Sequence, residues 1–226
     1  MKLILFGATG MIGQGALREA LGDPDVEAIL AIGRRETGER HPKLREIVRA
    51  DLLDLSDIEG DLDGYDACLF CLGISSVGLS EAQYADVTHG ITLAVARTLA
   101  RADPGMVFVY VSAAGSDETE HGRVMWARVR GRTENDLFRL PFRRVYAVRP
   151  AGIRPLHGIR SRTPYVDRLY RVLGPVLPLI QRALPAYVTD TGELARAMLR
   201  LAKRGGLIRV IEARDIPALG RRAASP

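Results

Sequence analysis

The run Gly7-Ala8-Thr9-Gly10-Met11-Ile12-Gly13 decides how this chain is read. Four apolar residues, Leu3 to Phe6, precede it and fit a short buried strand. The spacing Ile12, Ala16, Leu17, Ala20 behind it fits one face of a helix. A strand that turns tightly into a helix aims several backbone N–H groups and the positive end of the helix dipole at one point, which suits a diphosphate. In such a turn Gly7 makes the bend, Gly10 lets a ligand approach the backbone, and Gly13 lets helix close on strand. A bare glycine turn carries similar letters, but this one has both its strand and its helix. The run therefore predicts a dinucleotide site.

Outward from the turn, apolar strands alternate with helical stretches. The pattern predicts further strands over Val26–Gly33, Arg45–Ala50, Asp66–Gly73, Met106–Ser112, Arg143–Arg149 and Leu207–Ile211. The clearest helices are predicted over Ser80–Arg101, Val124–Phe138 and Thr191–Lys203. Nearly all-apolar strands are expected where helices cover both faces of a sheet. The fold class is α/β: a doubly wound parallel sheet, the Rossmann fold, with its ligand at the carboxyl ends of the strands. One domain over residues 1–226 is expected, with a small substrate-side region at about 151–190, and the chain from Leu219 onward reads as a loose tail.

Composition narrows the partners. The chain has 32 basic and 27 acidic side chains, a net charge of +5. That excess is too diffuse for a nucleic-acid surface. No apolar run reaches the roughly 18 residues of a membrane span, and the first apolar run is already a strand, not a leader. A cytoplasmic location is expected. Cys68 and Cys71 have CxxC spacing, but residues i and i+3 of a strand face opposite ways, so the sulfurs should diverge. No metal site is expected, since no histidine has ligand spacing with another donor.

The end of the second strand selects between cofactors. A carboxylate there would hold the ribose 2′-hydroxyl of NAD; arginines accommodate the 2′-phosphate of NADP. Here Gly33 is followed by Arg34 and Arg35, whose guanidinium groups suit phosphate. The expected cofactor is NADP(H) rather than NAD(H), the alternative being two merely solvated arginines. After the third strand, Asp51-Leu52 either lies beside the adenine, with Asp51 accepting from its amino group, or Asp51 caps a helix.

These motifs, with Leu72-Gly73, Val111-Ser112 and Arg149-Pro150, occur in an order that resembles the short-chain dehydrogenase/reductases. The similarity is to atypical or extended members, related to epimerase/dehydratases, NmrA-like proteins and the Tat-interacting-protein oxidoreductases. It implies that Thr9, Gly10, Met11 and Ile12 wrap the diphosphate. Leu72 and Gly73 would sit by the ribose, and Pro150, Gly152 and Ile153 would flank the nicotinamide.

The resemblance breaks at the catalytic motif. The family has a Ser after the fifth strand, then a Tyr and a Lys four residues apart on the next helix. Ser112 fits the serine position, but Trp126 stands in the Tyr position and Arg130 in the Lys position. Indole N–H donates a hydrogen bond and does not ionise near neutral pH, so Trp cannot replace the phenol. Arg130 can still hold a ribose hydroxyl. His121, His157, Ser75, Ser76 and Tyr84 are further polar candidates. Residues 165–184 form an apolar stretch with arginines, readable as a core-capping helix, a lid over an apolar substrate, or a contact surface. Two functions fit: an NADP(H)-dependent oxidoreductase acting on a small apolar compound, or a non-catalytic NADPH sensor or scaffold with a regulatory protein partner. Oligomeric state is not legible in the sequence.

Overall fold

The sheet is assembled from strands β1 (Lys2–Phe6), β2 (Ala28–Gly33), β3 (Leu44–Val48), β4 (Ala67–Phe70), β5 (Val107–Val111) and β6 (Arg144–Arg149), with β7 (Gly152–Arg154), β8 (Val188–Asp190) and β9 (Val210–Glu212) following. The computed structural model describes residues 1–156 and 187–221. Among these, seven strands lie in the order β3-β2-β1-β4-β5-β6-β9, while β7 and β8 pair separately. Every pairing is parallel. Phe6 lies beside Ile32 and Phe70, and Val111 lies beside Val148, so the carboxyl ends of the strands share one edge. The chain reverses its winding between β3 and β4, which flanks β1, and that is where this fold opens a crevice.

Side chains alternate across each strand and so build two cores. Leu3, Leu5, Ile29, Leu69 and Val109 face α1 (Met11–Gly22) and α5 (Thr191–Arg204). Ile4, Phe6, Leu30, Phe70 and Phe108 face the opposite side, under α3 (Thr92–Ala102) and the end of α4 (Met125–Leu137). That second face carries a row of rings: Phe6 to Phe70 at 5.5 Å, Phe70 to Phe108 at 5.7 Å and Phe108 to Phe142 at 5.1 Å between centroids. Cys68 belongs to this face, whereas Cys71 packs against the other, so the two free thiols diverge as the strand geometry requires.

Three expectations change in detail. The helix expected over Ser80–Arg101 is divided into α2 (Glu81–Ala85), a π-helical segment (Asp86–Ile91) and α3. The wide turn accommodates an extra residue while Tyr84, Thr88, Thr92 and Ala96 all stay buried. The last strand is Val210–Glu212 rather than Leu207–Ile211, because Leu207 and Ile208 are exposed despite being apolar. The loose tail expected from Leu219 onward does not start there: Leu219 and Gly220 end helix α6 (Ile216–Gly220). Gly220 is pinned against the first turn of α5, where a Cβ would come 2.2 Å from the Glu193 carbonyl oxygen.

The ring row predicts one outcome. Phe70→Ala should lower the unfolding free energy by about 3–5 kcal/mol, with Phe70→Leu costing less. Urea denaturation checks this; an unchanged midpoint for Phe70→Ala would show that the row does not stabilise the sheet.

Candidate functional site

The residues just past the strand ends meet at the common edge. Gly7 follows β1, Arg34 follows β2, Cys71 follows β4, Ser112 follows β5 and Pro150 follows β6, and all five line one cleft of about 890 Å³. Thr9, Gly10, Met11 and Ile12 complete its wall at the head of α1. Gly7 sits at φ +78°, where a side chain would be strained, and a Cβ there would come 2.7 Å from the Cys71 carbonyl carbon. A Cβ on Gly13 would come 2.0 Å from the Gly7 carbonyl oxygen, so Gly13 sets the helix down on the turn and does not itself line the cleft. At Gly10 a Cβ would meet only the Gly7 carbonyl oxygen, at 3.3 Å. The surroundings of Gly10 are otherwise open, as close approach of a ligand to the backbone requires.

At the β2–β3 end, Arg34 and Arg35 line the cleft, are exposed, and have no carboxylate partner among the described residues. Three lining residues there escape the sequence motifs, Thr37, Glu46 and Ile47. Glu46 accepts the Thr37 backbone N–H at 2.8 Å and so ties the arginine-bearing loop to β3. Ala50 lines the cleft, but its neighbours do not. Asp51 is exposed and accepts the Leu53 N–H at 2.8 Å, capping a turn, while Leu52 is buried in the core.

On the opposite side Leu72, Gly73, Ser75, Ser112, Arg130, Pro150 and Ile153 line the cleft. Gly152 pairs with Val188 in the small sheet and stands outside the lining. Trp126 also stands outside it, on the first turn of α4. Its Cη2 lies 3.5 Å from where a Gly115 Cβ would be. One turn on, Arg130 reaches the cleft. Its Nε donates to the Tyr84 hydroxyl at 2.9 Å and its Nη1 to the Val111 carbonyl at 3.2 Å. Tyr84 is thus buried behind the arginine rather than exposed in the cleft. His121 is exposed in its loop; His157 and residues 165–184 lie outside the described residues.

Ser112 is held in a buried polar chain. Its hydroxyl donates to Glu134 and lies 2.9 Å from the Ser116 hydroxyl. Glu134, 1% exposed, pairs with Arg149 through Nη2 at 2.6 Å and Nε at 3.1 Å, and Arg149 also reaches Glu212 at 2.9 Å. A carboxylate this deep is tolerated only because the guanidinium fork satisfies it. Burial alone would lower the Arg149 pKa, but the hydrogen bonds and charges of Glu134 and Glu212 carry it up. Glu134 lies eight residues after Trp126 and four after Arg130. That one-face spacing on α4 is the signal by which the sequence could have revealed it. Ionisable groups nearby are quiet: burial pushes the Cys71 thiol and the Tyr110 phenol each up to about 12. No tyrosine, lysine or histidine lines the cleft among the described residues.

Comparison with known proteins agrees with this architecture. Protein FMP52, mitochondrial, of Eremothecium gossypii is 27% identical across 97% of this chain and 97% of its own length. Protein fmp52-1, mitochondrial, of Aspergillus oryzae is 30% identical across 66% of this chain and 64% of its own length. Relatives named as mitochondrial overturn the expectation of a cytoplasmic location. Among solved structures, the Bordetella bronchiseptica enzyme WbmF in complex with NAD+ superposes with a TM-score of 0.68. It is 16% identical, over 97% of this chain and 76% of that one. DesIV, a dTDP-glucose 4,6-dehydratase from Streptomyces venezuelae with NAD bound, gives 0.67 at 15% identity, over 93% and 74%. At such identities the likeness is one of fold. Residues 3–123, from β1 through the loop ahead of α4, match the NAD dependent epimerase/dehydratase family, and the chain belongs to it.

Proposed function

We propose that the cleft binds NADP(H) and that the protein is an oxidoreductase acting on a small molecule. One observation carries the cofactor choice. Arg34 and Arg35 line the same cleft as the glycine turn, and no carboxylate among the described residues neutralises them. A 2′-phosphate would complete both charges. The turn fits the diphosphate, with Gly7 bent, Gly10 open, and the first-turn N–H groups of a twelve-residue helix at hand. The family name and the NAD-bound neighbours support a nicotinamide dinucleotide. When bound, that group supplies hydride transfer. Around it, Arg130 would hold the nicotinamide ribose, and Ser112 would meet the substrate beside Pro150 and Ile153. Trp126 in the tyrosine position would be chemically passive.

The second reading, a non-catalytic NADPH sensor or scaffold, has its own observation. The Ser112 proton is committed to Glu134, and no tyrosine, lysine or histidine among the described residues lines the cleft to replace the missing phenol.

Calorimetry should show tighter binding of NADP than of NAD. Replacing Arg34 and Arg35 together by Ala should erase that difference, at about 1.5–3 kcal/mol per lost charged hydrogen bond, with NAD affinity nearly unchanged. Equal native affinities would refute the preference. Gly10→Val should leave a folded chain that no longer enhances NADPH fluorescence; retained enhancement would remove the nucleotide from the turn. NADPH oxidation across a panel of quinones and aldehydes separates the two functions. An oxidoreductase turns over, and Trp126→Phe alters its rate only modestly. A sensor shows no turnover with any acceptor while still binding NADPH.

A further inference from the structure

Arg130 differs from its fellow buried arginines in what it lacks. Six arginines among the described residues are not exposed, and five of them end on a carboxylate at 2.5–3.6 Å. Arg130 has two neutral partners instead, the Tyr84 hydroxyl and the Val111 carbonyl. These fix the guanidinium plane through Nε and Nη1. No described residue accepts from Nη2, which lies 3.8 Å from where a Gly73 Cβ would stand, on the cleft wall. A half-buried cation is costly unless an anion completes it. The ribose hydroxyl assigned to Arg130 above is neutral, and Glu134, one turn on, acts on Arg130 only at a distance because its carboxylate is paired with Arg149. The glycine turn and the head of α1 already serve a diphosphate, and Arg34 and Arg35 a 2′-phosphate.

We propose that Arg130 is the anion-recognition point for a second ligand, and that the substrate carries a carboxylate or comparable anionic oxygen group bound at the Gly73–Ser112 side of the cleft. The inference rests on the reading of the cleft as a nucleotide site. It makes the substrate anionic at one end, a property that the apolar character of residues 165–184 does not suggest. Tyr84 acts through Arg130 and is a positioning residue: its hydroxyl aims the fork and leaves the charge free.

The test uses butyrate and its neutral isostere butyramide, titrated by ligand-observed NMR into the full-length protein, with and without saturating NADP. Native protein saturated with NADP should bind butyrate about tenfold or more tighter than butyramide, as one charged hydrogen bond provides. The preference should vanish in Arg130→Gln and survive, weakened, in Tyr84→Phe, where the fork loses its aim, and in Arg130→Lys. Far-UV circular dichroism checks that each variant is folded, and Arg130→Lys decides the matter if Arg130→Gln is not. Equal binding of the two probes, or a preference that persists in Arg130→Gln, overturns the proposal. So does a preference seen only without nucleotide, since the cofactor's own phosphates would then be the anion. Failure of NADP to bind defeats the nucleotide reading instead, and the nucleotide-free titration still decides whether Arg130 selects the anion.

Discussion

The structure depends on how closely the first turn is packed. The Gly7 backbone lies between the start of α1 and the chain leaving β4, with no room for a Cβ on Gly7 or Gly13. That contact sets α1 on the sheet and directs its first N–H groups toward the crevice between β1 and β4. Were either glycine larger, the helix would have to lift from the strand. The distance between the backbone of the glycine turn and the wall built by Cys71, Leu72 and Gly73 would change with it.

Much of this was legible in the sequence because the physics is local. Five of the six strands from Leu3 to Arg149 are short apolar runs bounded by polar or glycine residues, β3 with Arg45 and Glu46 inside it being the exception, and each is present with its ends moved by a few residues. What stayed hidden depends on tertiary contacts. β7 and β8 have three residues each, too few for any period to show. The π-helical segment, Asp86 to Ile91, holds no strong helix former, yet nothing in its letters marks the turn as wide rather than ordinary. Leu207 and Ile208 read as a strand by hydrophobicity alone, yet they lie in solvent ahead of the paired residues.

The candidate site divides in the same way. The half built by the glycine turn is backbone, and backbone positions follow from a glycine pattern. Its other half is side-chain pairing between distant elements. Ser112 with Glu134, Glu134 with Arg149, and Arg130 with Tyr84 join residues 22, 15 and 46 positions apart. A motif names the serine and the arginine; it does not say that the serine proton is already donated, or that the arginine forms no ion pair among the described residues.

The placement of lining residues at strand ends has a thermodynamic consequence. Gly7, Cys71, Ser112 and Pro150 inherit the rigidity of a sheet buried on both faces, so this part of the cleft is ordered before any ligand arrives and binding there loses little conformational freedom. Arg34 and Arg35 are different: exposed and without an ion-pair partner among the described residues, they would have to be immobilised on binding a phosphate, at about 0.5–1.5 kcal/mol for each side chain. Under the proposed NADP(H) reading, ordering entropy therefore falls on the two residues that would choose between cofactors. On that reading selectivity could drift by substitutions at that loop while the rigid frame at the strand ends stays unchanged.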